Sequence, residues 1–248
     1  MAKNKPQPIL GHLSELKTRL IKIALLFLIV FGLCYLISDH LFLWLADPLN
    51  KSLKDIGIEN PTLVYTHLAE AFLTYIKVSF FAALMITFPF LEVQAWLFLK
   101  PGLHKTEQKF TFMIFVMAPV FFILGAVLAY YYVFPLTWKF LVGFSIPQSQ
   151  NISIHLMTKM EDYLDLATKL MFAFGLCFQL PLILIILAKL GVVSVDALIQ
   201  SRKFVVVGIF IIAAFLTPPD VISQIALAIP LLLLYELSII IIKKLTKK

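Results

Sequence analysis

Carboxylates and amides stand out in this chain because so little around them is polar. Glu15 lies in the run His12-Leu13-Ser14-Glu15-Leu16-Lys17-Thr18-Arg19-Leu20. Leu13, Leu16 and Leu20 recur at helical spacing while His12, Glu15 and Arg19 lie away from them, the pattern of an amphipathic helix at a membrane surface. Glu15 and Arg19 are four residues apart, so a helix sets them side by side as an ion pair worth about 0.3–0.5 kcal/mol on a solvated face. Glu107 falls in a short polar loop. Gln179 and Glu236 lie inside apolar runs, and Glu92 lies near the end of another. An ionisable group at membrane depth is costly unless it faces protein or water, so Glu236 and Glu92 are expected to face inward or to reach toward the interface. Gln179 either bonds neighbouring helices together or lines a polar cavity.

Catalytic constellations do not form from what is left. His12, His40, His67, His104 and His155 are scattered without paired spacing, and Cys34 and Cys177 each sit alone in an apolar run, as small buried hydrophobes do. No G-x-S-x-G, H-E-x-x-H or phosphate-binding glycine loop occurs. The expectation is a protein without enzymatic activity, cofactor or metal.

The elements that position these residues follow from composition. Of 248 residues, 61% are hydrophobic and 14% charged, far from the balance of a water-soluble domain. Apolar runs at about 21–38, 71–98, 110–134, 166–187, 204–216 and 221–242 predict an all-α membrane protein with six transmembrane helices in one polytopic domain, residues 1–248. The fifth run has only 13 residues, about 20 Å of helix against a hydrocarbon core of about 30 Å. Charge argues that it nevertheless crosses. With six spans, Lys3, Lys5, Lys17, Arg19 and Lys22, then Lys100, Lys105 and Lys109, then Lys189, Arg202 and Lys203, and finally the C-terminal lysines all fall on one side. The other side keeps only Lys51, Lys54, Lys139 and Lys159. The positive-inside rule therefore predicts cytoplasmic N- and C-termini, and the same rule accounts for the net charge of +7 without nucleic acid. The long trans loops His40–His67 and Leu136–Asp165 have room for short helices. Pro89, Pro119, Pro181 and Pro230 lie within spans and should bend them. No cleavable signal and no transit segment precede the first span.

Taken in order, the motifs resemble the TatC family, the receptor subunit of the twin-arginine protein translocase. The run from His12 to Leu20 is similar to its H-L-x-E-L-R-x-R-L signature. Ala46-Asp47-Pro48-Leu49 resembles its x-x-P-L motif, and Gln94-Ala95-Trp96-Leu97-Phe98 through Pro101-Gly102-Leu103 to Glu107 resembles Q-x-W-x-F-x-x-P-x-L-x-x-x-E. Phe174-Gly175-Leu176-Cys177-Phe178-Gln179-Leu180-Pro181 is similar to F-G-x-x-F-E/Q-x-P. Thr217-Pro218-Pro219-Asp220 with Ser223-Gln224 is similar to T-P-P-D-x-x-S-Q, and Pro230 through Tyr235-Glu236 completes the set. Lys17 departs from the usual Arg, and Gln179 stands where many members carry Glu.

The resemblance implies a curved, concave, glove-like arrangement with short fifth and sixth helices, in the cytoplasmic (inner) membrane. It implies a cytoplasmic site for twin-arginine signal peptides of folded precursor proteins, built from Glu15, Leu16, Arg19, Phe98, Pro101 and Glu107. It also implies an intramembrane polar and partner-docking set of Pro48, Gln179, Asp220, Gln224 and Glu236. Single-span partners of the TatA and TatB type, self-association in a larger complex, and the lipid bilayer are the partners implied. A secondary transporter of small solutes is the competing reading for six spans and buried polar residues, and an assembly factor for other membrane proteins is a third.

Overall fold

The computed structural model describes residues 9–55, 62–102, 105–143, 158–217 and 221–246, with side chains throughout except at 9–13, 102, 105–107, 158 and 246. Six helical stretches are long and apolar enough to cross a membrane: Ser14–Leu36, Glu70–Leu99, Gln108–Val142, Met160–Lys189, Val195–Leu216 and Val221–Leu245. Six crossings bring the first and last helices back to one face, called here the termini face. Large apolar side chains such as Leu28, Ile29 and Phe215 remain exposed, a distribution suited to lipid, where such surface gains nothing by burial.

The amphipathic run and the first span form one continuous helix, α1 (Ile9–Leu36), which packs mainly on α3 (Glu70–Leu99). After the single residue Ile37 the chain enters α2 (Ser38–Asp55) on the opposite face, longer than the short loop helix that the sequence suggests. Its apolar stripe of Phe42, Leu45, Ala46, Leu49 and Leu53 is buried against α3 and α5. At the start of α3 the Glu70 carboxylate accepts hydrogen bonds from the backbone and hydroxyl of Thr66 and from the backbone of His67. A buried anion at that position complements the helix dipole.

The third span is one rod in three parts. α4 (Lys105–Leu128) passes through a π turn, Ala129–Val133, into α5 (Phe134–Val142), so it extends eight residues beyond the apolar run 110–134. The fourth is broken: α6 (Met160–Cys177) stops before Pro181, and α7 (Leu180–Lys189) resumes after Gln179. Proline cannot donate to the preceding turn, which accounts for the break. Two-residue strands β1 (Leu63–Val64) and β2 (Thr158–Lys159) pair in parallel on the opposite face.

The fifth and sixth helices are longer than expected. α8 (Val195–Leu216) has 22 residues and α9 (Val221–Thr246) has 26. The Ser194 side chain caps Ala197, so the polar segment Asp196–Lys203 is already helical. Only the apolar part of α8 is short. The helix is the shortest of the six candidate spans.

α6 lies at the centre, with Leu164, Ala167, Leu170 and Phe174 fully enclosed. Two glycines let α4 and α6 approach. A Cβ at Gly125 would stand 2.5 Å from the Phe174 carbonyl oxygen, and one at Gly175 would stand 2.6 Å from the Phe122 ring. Phe122 in turn stacks on Phe88 of α3 at 3.8 Å between ring centroids, so three spans meet at one aromatic layer.

Candidate functional site

On the termini face, α1 and the end of α3 are joined by one guanidinium. Arg19 donates through Nε to Glu15 Oε1 at 3.1 Å, through Nη1 to Gln94 Oε1 at 3.0 Å and through Nη2 to the Leu97 carbonyl at 3.2 Å. The helical i,i+4 spacing supplies the first contact, and the α1/α3 packing supplies the others across 75 and 78 residues of chain. The Arg19 and Glu15 side chains keep 19% and 28% of their exposure. Glu15 is thus a carboxylate oriented by a fixed cation, at the edge of water. A planar fork on three acceptors is a task that arginine performs and lysine cannot.

Around this pair, Leu16 is exposed, Phe98 is half-buried and Pro101 is exposed in the 3-10 turn Lys100–Gly102 that leads to α4. Trp96 is buried against Phe112 and Phe115 of α4, with centroids 5.6 Å away in each case, which ties that turn to the end of α3. Glu107 belongs to the first turn of α4, and its side chain lies outside the described residues. The structure therefore brings together Glu15, Arg19, Gln94 and the Leu97 carbonyl, with Leu16, Phe98 and Pro101 nearby along the same elements.

The second set of expected residues does not converge. Gln179 is buried at the α6/α7 break and donates to the Ala118 carbonyl of α4 at 2.8 Å. Glu236 pairs with Arg202 of α8 at 2.7 Å, half-exposed near the termini face. Gln224 donates to the Phe210 carbonyl at 3.0 Å, 12 residues and roughly 18 Å along α9 from Glu236. Pro48 is buried within α2, where its carbonyl accepts from Ser52 at 2.9 Å. Asp220 lies outside the described residues. Of the described ones, Gln224 and Glu236 sit at two levels of the α8/α9 contact, Gln179 at the contact of the α6/α7 break with α4, and Pro48 within α2.

Other polar contacts were not legible in the motifs. For Gln94 the sequence offers only its motif and the signal of an amide within an apolar run. Lys77 of α3 reaches Glu161 and, at 3.1 Å, Asp165 of α6. Glu92 is buried, and its Oε2 has no hydrogen-bond partner among the described residues. On the opposite face Lys51 pairs with Asp47 and Lys139 with Asp55, and the bond to Asp47 raises the Lys51 ammonium above its ordinary pKa. No cluster of His, Cys, Asp or Glu suited to a metal occurs among the described residues.

A family profile described as Sec-independent protein translocase protein (TatC) matches residues 11–230. The chain belongs to the TatC family. It is 44% identical over 230 residues to the Sec-independent protein translocase protein TatC of Rickettsia prowazekii (strain Madrid E), covering 93% of this chain and 90% of that protein. It is 32% identical over 239 residues to the TatC protein of Escherichia coli (strain K12), covering 96% and 89%. A crystal structure of the twin arginine translocase receptor TatC superposes with a TM-score of 0.79 at 34% identity, covering 96% of this chain and 100% of that one. As a TatC member, the chain is a multi-pass membrane component of a protein translocase and not an enzyme. The Arg19 junction lies within the matched region, on residues of the H-L-x-E-L-R-x-R-L and Q-x-W-x-F motifs.

Proposed function

We propose that this chain is the receptor of the twin-arginine translocase, binding twin-arginine signal peptides of folded precursors on the termini face, which is cytoplasmic. The observation that carries the reading is the Glu15 carboxylate held by Arg19, which is itself anchored on Gln94 and the Leu97 carbonyl. A carboxylate fixed in this way can receive a guanidinium through two parallel hydrogen bonds without first losing its own rotamer freedom. Glu107, on the helix that follows the turn at Pro101, is the second acceptor, and Leu16 and Phe98 offer apolar surface beside them.

Magnitudes limit what the arginines can do alone. Charge-assisted hydrogen bonds contribute about 1.5–3 kcal/mol each, while micromolar affinity needs about 8 kcal/mol. The apolar part of the signal peptide must supply the difference, and the exposed leucines of α1 lie along its route into the membrane. In this reading the protein resides in the cytoplasmic membrane of a bacterium or an organelle that descends from one. Its spans curve into a concave, glove-like surface and form one polytopic domain. Single-span partners of the TatA and TatB type and further copies of the chain assemble on it, with Pro48, Gln179, Asp220, Gln224 and Glu236 shaping the helix joints that receive them.

The test is crosslinking of a twin-arginine precursor to Glu15→Ala, Glu107→Ala and the double variant in membranes. Each single change should weaken the crosslink and the pair should nearly abolish it, with insertion unchanged. An undiminished crosslink to the double variant refutes the assignment. Depletion of the protein separates the competing readings, because only a receptor loss makes twin-arginine precursors accumulate selectively.

A further inference from the structure

On the face opposite the termini, Trp44 of α2 stacks on Tyr130 of the π turn at 4.3 Å between centroids, and Tyr130 donates its hydroxyl to the Trp44 carbonyl at 2.7 Å. Tyr131 and Tyr132 beside them are 63% and 75% exposed. Tryptophan and tyrosine gather where hydrocarbon meets headgroups, so this cluster marks the level of that interface. Two cavities adjoin the cluster and share Trp44, Tyr130 and Tyr131 as walls.

The cavity on the membrane side, about 190 Å³, is wholly apolar, with Met85, Phe122, Ala126 and Val127 among its walls. Phe122 and Tyr130 are eight residues apart on one rod, so it descends roughly 12 Å from the interface toward the middle of the bilayer. The cavity on the aqueous side, about 450 Å³, is a trough lined by Asp47, Lys51, Asp55 and Lys139. Two ammonium groups and two carboxylates make it electrically neutral, with both signs exposed.

We infer that this paired cavity is a binding site for one phospholipid with a primary-amine headgroup, its phosphate on Lys51 and Lys139, its ammonium on Asp47 and Asp55, and one acyl chain in the apolar slot. The neutral trough gives an anionic lipid no net attraction. A quaternary choline has no N–H to donate to the aspartates, whereas a primary ammonium has three. A transmembrane helix of a partner, about 10–12 Å across with side chains, is too wide for the slot. The site is independent of the arginine-binding junction, which lies on the other face.

The experiment is native mass spectrometry of the full chain released from nanodiscs of equal parts phosphatidylethanolamine, phosphatidylcholine and phosphatidylglycerol. The expected result is one retained lipid, phosphatidylethanolamine roughly two- to fivefold more often than phosphatidylcholine, the discrimination expected of partly exposed ion pairs. Asp47→Asn with Asp55→Asn should bring the ethanolamine to choline ratio to one while lipid is still retained. Val127→Trp, which fills the slot from its lipid-facing side, should abolish retention. Equal retention of the three lipids by the wild type, a preference that survives the double aspartate change, or unchanged retention in Val127→Trp each overturns the inference. The aspartates are surface residues, so the double variant decides the matter even if the tryptophan variant fails to fold.

Discussion

Arg19→Lys preserves charge and is the sharpest perturbation of the proposed receptor site. Lysine can still pair with Glu15 one turn away, but a single terminal nitrogen cannot also hold Gln94 and the Leu97 carbonyl. The variant therefore loses the two hydrogen bonds that tie α1 to α3, at 3.0 and 3.2 Å. Sheltered bonds from a charged donor contribute about 1.5–3 kcal/mol each. With 19% of the side chain exposed, solvent screening brings the two together to about 2 kcal/mol. If that energy serves to hold Glu15 in place, signal-peptide affinity should fall roughly twenty- to thirtyfold. The assay is titration of a fluorescent twin-arginine peptide into nanodisc-embedded protein, with Gln94→Leu as companion. Because both changes remove the same junction, their effects should be strongly non-additive. Unchanged affinity in Arg19→Lys, or tighter binding in Arg19→Ala because a competing cation has left Glu15, would refute the reasoning that Arg19 positions the carboxylate.

Three further outcomes are expected. Gly125→Ala places a methyl group against the Phe174 backbone, which no rotamer change relieves, so thermal unfolding should show a loss of about 1–3 kcal/mol; an unshifted transition would mean that α4 and α6 part easily. Cysteines placed at Ser201 and Asp220 should label from opposite sides of the membrane, and labelling from one side would remove α8 from the spans. Gln179→Leu removes the bond to Ala118 at a stability cost of about 0.6 kcal/mol, at most about 1.7. In that variant precursor binding should persist while partner crosslinking and export fall, and Gln179→Glu should export normally. Normal export by Gln179→Leu would leave the residue with packing alone.

The spans were readable because bilayer thickness imposes a length on apolar runs, but apolar runs are not helices. Asp196–Lys203 is polar and helical at once, since Ser194 caps the segment before the hydrocarbon begins. The π turn at Ala129–Val133 leaves no composition signal, and it carries the third span past its apolar limit. The break at Gln179 was foreseeable from Pro181. At the site, the Glu15–Arg19 pair is local and was visible as an i,i+4 spacing. The acceptors on α3 are tertiary, and no periodicity within α1 could name them. The same holds for Glu236, whose partner Arg202 lies 34 residues away on another helix.

α1 is a long beam fastened at two joints and braced along one side by α3. At one end Arg19 clamps it to α3; at the other, Ile37 alone separates it from α2, with backbone bonds from Ile37 to Cys34 and from Leu41 to Ile37 closing the joint. With 28 residues the beam is roughly 42 Å long, and only 6% of its membrane window is enclosed by the rest of the protein. Its support comes from one side, where Phe27 and Phe31 pack edge-on against Phe80 of α3 at 5.1 and 6.5 Å, so a load applied at the Glu15 end is steered along the helix axis. It is delivered to the seat of α2 on α5, so the two faces of the molecule share one mechanical element.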